Sequence, residues 1–173
     1  EKDVEEKLLI PLLTKLDYRE TDWTRQLSQK AGRKEKAIPD FVFFPKGERH
    51  FQNAPMIIEA KYDMNSALER TKSYNQALSY ARLMKSTVFG ICDRDRLIIY
   101  KERCGTFDRF KPAFEKHWQS LRNGEVFRQL KLLIGRNVIN ASNRHLPQSK
   151  HDNKSSKALH YVQNNQSECN QNR

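Results

Sequence analysis

The chain reads as an α/β domain with a small mixed central sheet flanked by helices. Three observations predict it. Leucines recur at three- and four-residue spacing near the start, the mark of an amphipathic helix. Short apolar runs occupy residues 38–44, 55–62, 87–92 and 97–100, the length and composition of strands. A long helical pattern over residues 65–85 falls among them.

Each element has its own justification. Residues 1–16 form a helix whose apolar face holds Leu9, Leu12, Leu13 and Leu16. Pro11 predicts a kink or a frayed first turn there, since it has no N–H to donate. Within 18–29, the alternation of Trp23, Arg25 and Leu27 suggests a first strand. Residues 30–36 follow as a basic turn. Residues 38–44 form a second strand, with Ile38, Asp40, Val42 and Phe44 on one face and Phe41 and Phe43 on the other. Both faces are apolar except at Asp40, so the strand is covered on both sides. A buried carboxylate there needs a partner.

Pro45-Lys46-Gly47 marks a turn. In the third strand, residues 55–62, Glu59 and Lys61 share a face with Ile57. The helix over 65–85 is capped by Asn65 or Ser66 and packs through Ala67, Tyr74, Ala77, Leu78 and Ala81. Lys72, Gln76 and Tyr80 stand four residues apart and form one stripe. Residues 87–92 and 97–100 read as two more strands joined by a solvated turn containing Asp93 and Asp95. Two helices are expected within 110–140, the first marked by Phe114, Trp118 and Leu121 and the second by Phe127, Leu130, Leu133 and Ile134. From 141 to 173, Asn, Gln, Ser, Lys and His dominate, the composition of a disordered polar tail.

Bulk properties narrow the function. A length of 173 residues suits one domain. The net charge of +11 favours a polyanionic partner, because basic groups release counterions from phosphates. No apolar run is long enough to span a membrane and no signal peptide opens the chain, so a cytoplasmic location is expected. Three cysteines without ligand spacing read as free thiols in a reducing compartment.

Residues 38–61 carry the chemistry. If the second and third strands pair as a hairpin, Asp40 approaches Glu59 and Lys61 at one end of the sheet. Two adjacent carboxylates repel unless a cation offsets them, and Mg²⁺ suits one or two carboxylates together with phosphate oxygens. Pro39-Asp40 followed by Glu59-Ala60-Lys61 resembles the signature of the PD-(D/E)XK nucleases. The wider pattern resembles the N-terminal nuclease domain of type I restriction enzyme R subunits. It includes the Glu-rich first helix, Leu16-Asp17-Tyr18 where that family often has Leu-Gly-Tyr, and Gln76-Ala77-Leu78-Ser79-Tyr80-Ala81. The likeness covers residues 1–104 as a nuclease core, with 105–140 as helices packing on it.

The resemblance implies a restriction-endonuclease-like core and Mg²⁺-dependent hydrolysis of DNA, with Mn²⁺ able to substitute. Asp40, Glu59 and the Ala60 carbonyl would hold the metal. Lys61 and Gln76 would act on the phosphate. A first-helix glutamate would face the metal site: Glu6 fits best, with Glu1 and Glu5 as rivals. Arg33, Lys34, Lys72 and Tyr80 are candidate nucleic-acid contacts. No P-loop occurs, so no ATP site is expected, and a motor or specificity subunit would be separate. The alternative is a DNA-binding module that keeps the nuclease fold without cutting. A purely structural partner protein is a third class.

Overall fold

The computed structural model describes residues 1–32 and 36–143. The helical opening runs from α1 (Lys2–Val4) through a π-helical turn (Glu5–Leu9) into α2 (Ile10–Lys15). Pro11 falls in the first turn of α2, where its missing N–H costs least, and the wide turn just before it takes up the changed register. Asp17 then adopts a positive φ of 70°, so the helix ends where the resembled family often has glycine.

A six-stranded sheet follows, ordered β1 (Trp23–Arg25), β4 (Phe41–Phe43), β5 (Met56–Ala60), β6 (Val88–Cys92), β7 (Arg96–Lys101) and β8 (Phe114–His117). The β5–β6 pair is parallel and the other neighbours are antiparallel. The parallel step requires a crossover, which α3 (Ala67–Leu83) supplies. Ser66 caps α3 by accepting a hydrogen bond from the Glu69 N–H at 3.0 Å. A separate two-stranded ribbon pairs β2 (Gln29–Lys30) with β3 (Lys36–Ala37). The sheet is thus a mixed α/β layer covered by helices on both faces, as the apolar runs predict.

Strand alternation divides the core into two clusters. Phe41, Phe43, Met56, Ile58, Ala60 and Cys92 face α2 together with α4 (Gly124–Ile134) and α5 (Arg136–Asn143). Val42, Ile57, Phe89, Ile91, Ile98 and Tyr100 face α3 through Tyr74, Ala77 and Ala81. The central strands have no polar face because both faces are covered, which explains their unbroken apolar runs. Gly90 fits this packing: a Cβ there would meet Ile58 and Ile99 side-chain carbons at 3.0 Å.

Several expectations are corrected. The second strand does not reach Ile38, which is 45% exposed; pairing begins at Phe41, after Pro39 and a bend at Asp40. Phe44 has a φ of 49° and packs on the Tyr18 side of the sheet instead of sharing a face with Val42. Leu27 lies outside β1, which ends before the positive φ of Gln26. The helix expected around Phe114 is edge strand β8, followed by a 3-10 turn (Trp118–Arg122). Only Phe114 in β8 is buried; Glu115, Lys116 and His117 face solvent, as suits a strand that must not recruit another. The sheet therefore runs across the expected boundary at residue 104.

The start of the expected tail, Ala141–Asn143, belongs to α5, and residues 144–173 lie outside the described residues. Cys92 is a buried free thiol, but Cys104, expected free, is disulfide-bonded. Cys169 lies outside the described residues. Among the described residues no helix is long and apolar enough to cross a membrane.

Candidate active site

The site forms where the β4–β5 ladder stops. Regular pairing ends at Phe41 and Ile58, because Pro39 cannot donate to a further rung. Beyond it, side chains replace the backbone partners. The Asp40 N–H donates to Glu59 Oε1 at 3.0 Å, and the Ala60 N–H donates to Asp40 Oδ2 at 2.9 Å. The Gln26 N–H donates to the Asp40 carbonyl at 3.0 Å and fixes the bend from the other side. The opposite edge of β5 stays paired, with the Lys61 N–H donating to the Cys92 carbonyl at 2.8 Å. Asp40 and Glu59 are thereby held together at one strand end.

Lys61 joins them. Its Nζ lies 3.3 Å from Glu59 Oε2, and only 18% of its side chain is exposed. Glu59 is 1% exposed. Burial and the facing Asp40 push the Glu59 carboxyl up to about 7, despite opposing contributions from Lys61 and the Asp40 N–H. Burial also raises Asp40, with Glu5 and Glu1 adding to the effect while the Ala60 N–H and Lys61 oppose it. Burial disfavours the Lys61 ammonium, but Glu59 and Asp40 outweigh that cost and its pKa rises. The lysine stays protonated, and the two carboxylates carry more negative charge than it offsets.

The first-helix glutamate is a correction. Glu6 is exposed and pairs across one turn with Lys2 at 3.8 Å. Glu5 is 6% exposed, forms an ion pair with Arg25, and lies close enough to raise the Asp40 pKa. The reason is periodicity: Glu5 precedes Leu9, Leu12 and Leu13 by four, seven and eight residues, so it belongs to the buried stripe. Arg25 also stacks over the Phe41 ring, 5.5 Å from its centroid, which ties the helix to β4 beside the carboxylates.

On α3, Gln76 is exposed and its amide donates to the Tyr80 hydroxyl at 3.2 Å. Tyr80 is half-buried against the α3-facing core. Lys72 is exposed and pairs with Glu69 at 2.8 Å. Within the predicted stripe, Gln76 and Tyr80 are bonded to each other, whereas Lys72 turns to Glu69. Arg33 and Lys34 lie outside the described residues.

Asp93 is another correction. It is fully buried instead of solvated, and it accepts the N–H groups of Met64, Asp95 and Arg96 at 2.8–2.9 Å. It organises the β6–β7 turn and pins the segment that follows Lys61. Sequence reasoning also missed Asp22, which is 5% exposed and accepts two hydrogen bonds from the Arg136 guanidinium, at 2.6 and 3.0 Å.

Among the described residues no group of three or more His, Cys, Asp or Glu side chains is arranged to hold a metal ion. The donors on offer are the two carboxylates, three of whose four oxygens already accept from the Asp40 N–H, the Ala60 N–H and Lys61 Nζ. They are hard oxygen donors with unbalanced negative charge, a set that fits Mg²⁺ better than a softer ion.

No family model matches the chain, and no curated protein matches it in sequence. Among solved structures it is similar to the type IIG restriction endonuclease BpuSI, with a TM-score of 0.41 and 14% identity. That alignment covers 84% of this chain and 18% of the other, so this chain spans less than a fifth of that protein.

Proposed function

We propose that the chain is a PD-(D/E)XK nuclease domain that hydrolyses DNA phosphodiester bonds with Mg²⁺, Mn²⁺ substituting. The observation that carries this is the meeting of Asp40, Glu59 and Lys61 at one strand end, with both carboxyl groups raised in pKa. A nuclease site needs concentrated negative charge for a dication and a retained ammonium for the phosphate. Asp40, Glu59 and the Ala60 carbonyl would hold the metal. A dication there supplies Lewis acidity to the phosphoryl group. Lys61 keeps its proton beside Glu59 and stabilises charge that develops on the phosphate. Glu5, held by Arg25, takes the place expected of Glu6 and keeps Asp40 in a negative field. Gln76, Lys72 and Tyr80, with Arg33 and Lys34, would contact the substrate backbone.

In this reading the domain works as type I R-subunit nucleases do, beside a motor or specificity subunit. The experiment is nicking of supercoiled plasmid in Mg²⁺ or Mn²⁺ by the wild type and by Asp40→Ala. Metal-dependent nicking that the substitution abolishes supports the proposal, and equal nicking by both proteins overturns the site.

A second reading has its own observation. The bonds from Asp40 N–H to Glu59 and from Ala60 N–H to Asp40 give the carboxylates structural work at the ladder's end. They would persist in a DNA-binding module that does not cut. Metal-independent DNA binding without nicking by the wild type would select it.

A further inference from the structure

We infer that a track of arginines and exposed aromatic rings leads away from the Lys61 strand end and binds an unpaired nucleic-acid strand by stacking. The inference takes its location from the nuclease reading above, but binding along the track does not require cutting.

The track begins one residue beyond Lys61. Tyr62 is 65% exposed, although it stands two residues past a fully buried strand. The Arg94 guanidinium lies 5.3 Å from its ring centroid, and Asp63 holds that guanidinium at 3.5 Å. One side chain thus offers a flat ring and its neighbour a fixed cation. The next cation is Arg70 on the first turns of α3. Its Nε donates to the Met64 carbonyl at 3.3 Å, and Glu115 holds its NH1 at 3.5 Å. Arg70 and Glu115 line a cleft with Arg109 and Phe110. There the arrangement repeats: Phe110 is 79% exposed, and the Arg109 guanidinium lies 4.6 Å from its centroid. Arg109 is oriented by donating to Thr71 Oγ1 at 2.9 Å.

Core packing gives no reason for either ring to stand in water. Burying an apolar ring is favourable, and both rings forgo most of that gain. Counting Arg96, which shares Glu115 with Arg70, four arginines stand with the carboxylates of Asp63, Glu115 and Asp108, the last accepting the Phe110 N–H at 2.8 Å, so the track keeps a positive balance. Aromatic faces spaced along a cationic groove suit single strands, whose bases are free to stack; in a duplex the bases are already stacked on one another. The occupant is therefore an unpaired segment, such as a frayed end, a flap or a displaced strand.

The test is fluorescence anisotropy in EDTA, with a labelled oligothymidylate and a labelled duplex hairpin as probes. The full chain should prefer the single strand. Tyr62→Ala should weaken that binding about tenfold, and Phe110→Ala by a similar factor, while Tyr62→Phe retains it because the ring remains. Arg94→Ala should flatten the salt dependence of single-strand binding, and duplex binding should change little for all four variants. Both rings are exposed, so their removal leaves the core intact. Equal affinity for both probes, single-strand affinity unchanged in Tyr62→Ala, or no binding to either probe would overturn the inference. Each outcome leaves the nuclease reading to the nicking experiment. Strand binding lost in Tyr62→Ala without metal-dependent nicking by the wild type would support the track and sink the nuclease.

Discussion

Two buried acidic groups of this protein behave in opposite ways. Asp22 meets a guanidinium face to face: Arg136 donates two bonds to it, the Arg19 N–H adds a third at 2.8 Å, and its pKa falls. Asp40 and Glu59 meet each other, with Lys61 as the nearby cation, and their pKa values rise. Asp22 ties the 3-10 turn ahead of β1 (Glu20–Asp22) to the first residue of α5, more than a hundred positions away in the chain. Asp40 and Glu59 tie two adjacent strands that are already paired. Under the proposed function, a carboxylate placed for stability is given a cation of its own, whereas the pair placed for chemistry shares Lys61 between two.

The comparison breaks first on activity. Glu59→Gln keeps the side chain's shape and removes its charge. It should lower metal-dependent cutting by about 10²–10³-fold, as loss of a main electrostatic contributor does in other enzymes. The protein itself should fold at least as well, since the buried charge it loses is poorly compensated. Single-turnover cleavage beside a thermal melt reads both quantities. A Glu59→Gln protein that cuts normally would remove the distinction between the two sites.

Asp22→Asn is the mirror test. Removing a buried charged acceptor of three donors should cost about 2–3 kcal/mol, at the lower end for a buried ion pair because Arg136 keeps 24% of its side chain exposed. Cutting per folded molecule should be unchanged. Urea melts combined with cleavage corrected for the folded fraction decide it. Loss of cutting in the fully folded variant would mean that the Asp22 latch also shapes the site.

Glu5→Gln and Glu6→Gln sharpen the picture within one helix. Glu5 is buried against Arg25 and influences Asp40, so its change should slow cutting about tenfold. Glu6 faces solvent and should leave the rate within twofold, a scale expected of an exposed helix pair. The reverse order would restore the original expectation for Glu6.

What the sequence made legible follows from the range of each interaction. The triad was readable because a hairpin joins residues close in the chain, and Asp40 stood out as the one charge in an apolar run. Glu5 was misread in favour of Glu6, although the stripe that ends at Leu16 extends back to Glu5 through Leu9 and Leu12. The strand at Phe114 was not, because Phe114, Trp118 and Leu121 repeat at helical spacing by coincidence, and an edge strand has only one buried residue to declare itself. The Asp22–Arg136 latch left no local pattern at all. Asp93 read as solvated because turns between charged residues usually are; its burial comes from the segment after Lys61 folding over it.

The smallest effect is the pH dependence of stability without added metal, and its sign separates the two sites. Asp22 has a lowered folded pKa. Its contribution is complete above the unfolded value near 3.8 and is lost as pH falls through the folded value below that. Glu59 has a raised folded pKa. The folded state therefore binds the extra proton between the ordinary value of 4.5 and about 7, and stability declines as pH rises through that window. Asp22→Asn should erase the acid-side rise, and Glu59→Gln should erase the decline toward neutrality. Chemical melts across pH 3–8 in EDTA measure both limbs. Adding Mg²⁺ should flatten only the Glu59 limb, because a cation between the carboxylates stabilises the charged form that burial penalises. A decline that survives in Glu59→Gln would mean that the excess charge at the strand end belongs to Asp40 instead.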